Sequence, residues 1–148
     1  MTGAELKRDV VILACAISAG IHGALAPEHF NESAAAGVGF IAATVLLAAL
    51  VVAMTVRQAS AFALIGATAV LAGLLVSYAL AATTGLPLLH SDPEPVDGLA
   101  LATKAVEAVG LLAASSLIRR PSVGFIQHLK GTWTTWTRRG LHVRSLSS

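Results

Sequence analysis

The sequence has little charge, few aromatic residues and almost no cysteine. Only 12% of its 148 residues are charged and 5% are aromatic, whereas 55% are hydrophobic. Cys15, the single cysteine, lies inside an apolar stretch, so the chain offers no disulfide framework and no paired-cysteine metal or redox motif. Because the apolar residues gather in long blocks, an ordinary soluble core is excluded.

Motifs of known catalytic chemistry are missing as well. The sequence contains no HExxH zinc motif, no phosphate-binding glycine loop and no nucleophile with an adjacent base. We therefore expect no enzymatic activity. Any function has to be sought in the few polar residues that interrupt the apolar blocks.

Four apolar blocks are long enough to cross a membrane, since about 20 apolar residues span the roughly 30 Å hydrocarbon core. The predicted spans are 10–26, 34–56, 61–82 and 99–118. Short connections make neighbouring helices antiparallel. The sequence thus predicts an all-α fold, a transmembrane four-helix bundle over residues 1–120 with a separate tail at 121–148.

Local signals predict where the helices end. Ser33 and Ser60 stand in N-cap positions before the second and third spans. Pro27 lacks the amide hydrogen that a helix interior needs, so we expect it to end the first helix. The tripeptide ALA at 24–26 gives a second interpretation, a cleaved signal peptide that leaves three spans, although a proline directly after the cut disfavours it.

The distribution of cationic residues predicts the orientation, because Lys and Arg are retained on the cytoplasmic side. They precede the first span, separate the second from the third, and follow the fourth: Lys7, Arg8, Arg57, Arg119, Arg120, Lys130, Arg138, Arg139 and Arg144. The other two connections contain no Lys or Arg. Both termini are therefore predicted to be cytoplasmic.

The tail after Pro121 is basic and carries both tryptophans. If it is helical, Trp133 and Trp136 lie on one apolar face and Arg138 and Arg139 lie outside it. Tryptophan favours the headgroup zone and basic residues are attracted to anionic lipid. We expect an amphipathic segment on the membrane surface and, since no base-stacking motif is present, no nucleic acid as partner.

Polar residues within the spans predict a pocket near the outer face. At a rise of 1.5 Å per residue, His22, Tyr78, Lys104 and Glu107 all fall in the outer half of the bilayer. Lys104 and Glu107 are three residues apart on one helix face and can pair, which offsets part of the cost of burying their charges. We expect this face to point away from lipid.

Three functional interpretations follow from this pocket. The first is an outer-facing site for a transition metal ion, copper or zinc, because imidazole and carboxylate suit such ions. Its candidate ligands are His22, His29, His90 and Glu107, and its surrounding residues are Tyr78, Lys104 and Glu28. The second is an accessory or structural subunit that packs against a larger membrane protein or a second copy of itself. The third is a proton-coupled small transporter that uses Glu107.

The run IHGALAPEHF at 21–30, followed by GVGFIAATVLLAAL at 37–50, resembles segments of small, uncharacterised four-helix membrane proteins of high-G+C bacteria. The resemblance covers about the first third of the chain. It implies a multi-pass protein of the bacterial inner (plasma) membrane, and it implies no activity.

Overall fold

The computed structural model describes residues 2–57, 60–84 and 97–118, which form four helices and, within those ranges, no strand. The helices are α1 (Gly3–Glu32), α2 (Ala34–Val56), α3 (Ala61–Thr84) and α4 (Gly98–Ile118). The predicted all-α fold is confirmed. Several predicted features lie outside the described residues: His90 and the interfacial tail with Trp133, Trp136, Arg138 and Arg139.

All four helices are long and apolar enough to cross a membrane, at 30, 23, 24 and 21 residues respectively. Large apolar side chains cover their outward faces, and Phe62 and Leu112 are 89% and 71% exposed. So much exposed apolar surface is rare on a monomeric soluble protein and is suited to lipid. The bundle therefore has the exterior of a membrane protein.

A polar side chain caps the N-terminal end of each of the four helices. Ser33 Oγ accepts a hydrogen bond from the backbone N–H three residues on at 3.0 Å, and Ser60 Oγ accepts the equivalent bond at 3.2 Å. Both predicted caps are confirmed. Two further caps were not predicted: Thr2 forms a capping box with Glu5, and Asp97 Oδ1 accepts from the first turn of α4 at 2.7 Å.

The prediction that Pro27 ends the first helix is wrong. Helix α1 continues through it to Glu32 and ends only where Ser33 adopts extended backbone. A proline removes one hydrogen bond, here the one to the carbonyl of Gly23, and membrane helices tolerate this loss because packed neighbours and local adjustment compensate for it. His22 and His29 therefore lie on one continuous helix.

Small residues bring the helices close together in antiparallel register. A Cβ atom placed on Gly23 of α1 would lie 3.3 Å from Thr44 Cγ2 of α2, and the ring of Phe30 occupies the position that a Cβ on Gly37 would take. Since the residue number rises along α1 while that of its neighbour on α2 falls, the two helices run in opposite directions. Close backbone approach of this kind provides the van der Waals packing that holds membrane helices together.

Helix α4 packs against both α1 and α3 at Gly110. A Cβ atom there would lie 2.6 Å from Ala14 Cβ and 3.2 Å from Leu71 Cδ1. From this level toward the N-terminal end of α1, the interior is filled by apolar side chains. The fully buried ones are Val11, Cys15, Ala67, Leu71 and Ala114. The polar interior therefore begins on the other side of Gly110, toward the end where α1 passes into α2.

Candidate functional site

A buried polar cluster joins α1 to α4, and we call Ser18, His22, Lys104 and Glu107 the Glu107 cluster. Glu107 and Ser18 are fully buried and His22 is 6% exposed. Ser18 Oγ donates a hydrogen bond to Glu107 Oε1 at 2.7 Å, and Lys104 Nζ donates to Oε2 at 2.8 Å. Each oxygen of the carboxylate thus has its own donor, one from each helix.

His22 joins the cluster through Ser18, one helical turn earlier on α1. Its Nδ1 lies 2.8 Å from the Ser18 carbonyl oxygen and 3.3 Å from Ser18 Oγ. A carbonyl oxygen only accepts, so Nδ1 carries the hydrogen and donates. In the neutral imidazole the lone pair is then on Nε2. The Nδ1 hydrogen is therefore directed at the Ser18 carbonyl, with Ser18 Oγ as a second and longer contact, and Ser18 Oγ donates in turn to Glu107 Oε1.

The predicted pairing of Lys104 with Glu107 is observed, and both side chains lie largely inside the bundle. The Lys104 side chain is 15% exposed and that of Glu107 is fully enclosed. An unpaired buried charge costs several kcal/mol, and a buried pair is retained only where its geometry and additional hydrogen bonds compensate. Here Ser18 supplies the additional hydrogen bond. Ser18 was not among the predicted site residues, although its position four residues before His22 places both side chains on one helix face.

Two histidines on α1 flank one phenylalanine of α2. The ring centroid of Phe40 lies 3.7 Å from that of His29, nearly parallel to it, and 5.2 Å from that of His22. Like His22, His29 donates from Nδ1 to the carbonyl four residues earlier, at 3.0 Å. Seven residues of helix rise about 10.5 Å. The two centroid distances together are slightly shorter than this rise, so the Phe40 ring lies between the two imidazoles.

Tyr78 borders the Glu107 cluster from α3. Lys104 Nζ lies 5.4 Å from the centroid of the Tyr78 ring, within the range of a cation–π interaction. The Tyr78 hydroxyl oxygen is buried and has no hydrogen-bond partner in the part of the chain that the structure describes. The predicted proximity of Tyr78 to Lys104 is thus observed.

The predicted metal ligands are only partly brought together. Across residues 2–57, 60–84 and 97–118, no three His, Cys, Asp or Glu side chains are grouped closely enough to hold a metal ion. His22 reaches Glu107 only through Ser18, His29 lies beyond Phe40, and Glu28 is exposed on α1. Because His90 lies outside the described residues, the metal site stays a prediction.

Comparisons with known proteins identify no relative. No family model matches the chain, and no curated protein or solved structure matches it significantly. The function therefore has to be argued from the geometry of the Glu107 cluster. That geometry offers a carboxylate, a hydroxyl and an imidazole joined in series, which are the groups that bind and pass protons.

Proposed function

We propose that this chain is a membrane protein that binds and releases a proton at Glu107, as the acceptor of a proton-coupled small transporter does. The hydrogen-bonded series from His22 Nδ1 through Ser18 Oγ to Glu107 Oε1 supports the proposal. Charged side chains at membrane depth are rare because they are costly, and chains of Glu and His there mark proton relays.

The arrangement supports a balanced transfer of one proton. A proton that arrives at the Nε2 lone pair of His22 makes the imidazole cationic. The hydrogen on Nδ1 then leaves its bond with the Ser18 carbonyl and passes to Ser18 Oγ, 3.3 Å away, while the original Ser18 hydrogen passes to Glu107 Oε1. The imidazole is again neutral, with its hydrogen on Nε2, the serine has kept one hydrogen, and the carboxylate has become a carboxylic acid. Release follows the same steps in reverse.

The orientation in the membrane is part of the proposal. Lys7 and Arg8 lie in the first two turns of α1 and Arg57 directly follows α2, at the end of the bundle away from His22. Cationic residues are retained in the cytoplasm. We therefore place both termini in the cytoplasm and the Glu107 cluster in the outer half of a bacterial inner membrane.

A second candidate function is the accessory or structural subunit. It is favoured because the hydrogen bonds of the Glu107 carboxylate are already satisfied within the bundle. Both oxygens of Glu107 are hydrogen-bonded, so the four side chains could serve solely to fix α4 on α1. In that role the carboxylate keeps one protonation state, and the bundle acts by packing in the membrane. The two functions thus differ in whether Glu107 titrates.

Infrared difference spectroscopy on the protein in lipid nanodiscs separates the two functions. Between alkaline and acidic buffer, each carboxyl that becomes protonated adds to the C=O stretching band, and we expect the component from the buried Glu107 to be lost in the Glu107→Gln variant. Glu28→Gln, which removes an exposed carboxylate of the same helix bundle, is the matched control and should retain the band. If wild type and Glu107→Gln give the same difference spectrum, Glu107 does not titrate and the proton-binding function is overturned.

A further inference from the structure

The Glu107 cluster is closed toward the N-terminal end of α1. In that direction lie Cys15, one turn before Ser18, then Leu71 at the level of Gly110 and Ala114 one turn beyond it, all fully buried. At Gly110 the helices are so close that a single added carbon would meet Ala14. In the described part of the chain, no buried polar side chain lies beyond Ser18 on this side. The Cys15 thiol, a weak acceptor, is the one titratable side chain among these three, so the described residues offer a proton on Glu107 no strong acceptor in this direction.

The opposite direction contains a second proton-binding group. His29 is half-buried near the end of α1, and its Nδ1 hydrogen is held by the carbonyl of Leu25. Its Nε2 therefore carries the lone pair when the ring is neutral, as in His22. Between the two imidazoles stands the ring of Phe40, which has no atom that can accept or donate a proton.

The groups around His22 define what a proton there would meet. Ser18 and His29 lie on its own helix, Lys104 and Glu107 face it from α4, and Tyr78 lies behind Lys104 on α3. Helix α2 contributes no titratable residue; it brings the ring of Phe40 to His22 and His29, and the Thr44 hydroxyl to the backbone of α1. The apolar ring of Phe40 therefore interrupts the direct line from His22 to His29, where the buried Ala26 of α1 also offers no polar group.

Building on the proposed function, we infer that the Glu107 cluster exchanges protons through one end of the bundle only, and that Phe40 is the gate on this route. His29 is the entry group: its Nε2 takes a proton from a hydronium ion and leaves water. Transfer onward to His22 Nε2 requires the Phe40 ring to turn aside, with a water molecule carrying the proton across the space it leaves.

The test follows the protonation of Glu107 in time after an acid jump, using the carboxyl infrared band in nanodiscs. Phe40→Ala should speed the appearance of the band by about tenfold, with Phe40→Leu between Phe40→Ala and wild type. His29→Gln should slow it by about tenfold. The final amplitude should be the same in all, because Glu107 itself is intact. Ile41→Ala, which trims an exposed neighbour of Phe40 on α2, is the matched control and should keep the wild-type rate.

Sided vesicles complete the test. With the protein in right-side-out vesicles, an external acid jump should protonate Glu107 at the rate seen in nanodiscs. In inside-out vesicles the same acid jump should not protonate Glu107 at that rate. If the band appears in wild type but its rate is unchanged in Phe40→Ala and His29→Gln, or is equal from both sides, the gate is overturned while proton binding stands. If the band never appears, the gate and the proposed function both fail.

Discussion

Ser18 Oγ on α1 and Glu107 Oε1 on α4 lie 2.7 Å apart, although 89 positions separate the two residues in the sequence. This hydrogen bond is the one direct side-chain link from α1 to the carboxylate among the described residues. Ser18, which belongs to no sequence motif, thus connects His22 to the buried Glu107.

Replacing Ser18 with Ala should therefore destabilise the bundle. The change leaves Glu107 Oε1 buried without its donor, and an unsatisfied buried acceptor costs about 1–3 kcal/mol in the free energy of unfolding. Ser77→Ala is the matched control, because Ser77 is exposed and bonds only within its own helix. Thermal unfolding in mild detergent, followed by circular dichroism, measures both. Equal melting temperatures for the two variants would contradict this account of Ser18.

Removing the positive partner of Glu107 should have a larger effect. In Lys104→Met the carboxylate remains buried without its counter-charge, and breaking a buried pair in this way costs about 3–5 kcal/mol. Replacing both members, as in Lys104→Met with Glu107→Leu, should recover most of this loss, because no unpaired charge remains. The comparison uses denaturant unfolding in mixed micelles. A double variant no more stable than Lys104→Met would show that charge pairing does not determine the stability here.

Adding one carbon at Gly110 should push α4 away from α1. The new Cβ would lie 2.6 Å from Ala14 Cβ, and overpacking of this kind costs about 1–3 kcal/mol. Ala14→Gly in the same chain should restore stability, since it removes the opposing carbon.

Gly73 provides the control for that measurement. Nothing lies within 4 Å of a Cβ placed there. Gly73→Ala should therefore be neutral or stabilise α3 by up to about 1 kcal/mol, the difference in helix propensity. Loss of stability at Gly73 equal to that at Gly110 would mean that glycine is required for a reason other than close packing.

Replacing Pro27 with Ala should preserve α1 and strengthen it. Alanine restores an N–H that can bond to the Gly23 carbonyl, so we expect a gain of about 1–3 kcal/mol in the free energy of unfolding. Hydrogen–deuterium exchange of α1 in detergent should become slower around this position. Faster exchange at 28–32 would indicate that proline is needed to shape the end of α1.

The residues that could be predicted from the sequence are those governed by local physics. Ser33 and Ser60 cap helices because a serine hydroxyl just before a helix can accept a hydrogen bond from an N–H of the first turn. Lys104 and Glu107 pair because a spacing of three residues places them on one helix face. The long apolar blocks likewise predict helices that cross lipid.

What could not be predicted depends on a second helix. Pro27 was expected to end α1 because proline breaks isolated helices, whereas packing against α2 decides the outcome in the bundle. Ser18 and Phe40 belong to the candidate site only because α4 and α2 bring the acid and the aromatic ring to α1. Sequence periodicity gives no information about which faces of two helices meet.

The single residue between α1 and α2 limits how the molecule can rearrange. Ser33 is both the C-cap residue of α1 and the N-cap residue of α2. A sliding movement of one helix along the other would therefore break the cap. These two helices must shift as one stiff hairpin. A displacement of α4 relative to this hairpin would change the distance between Ser18 and Glu107, where the two parts are joined by a hydrogen bond.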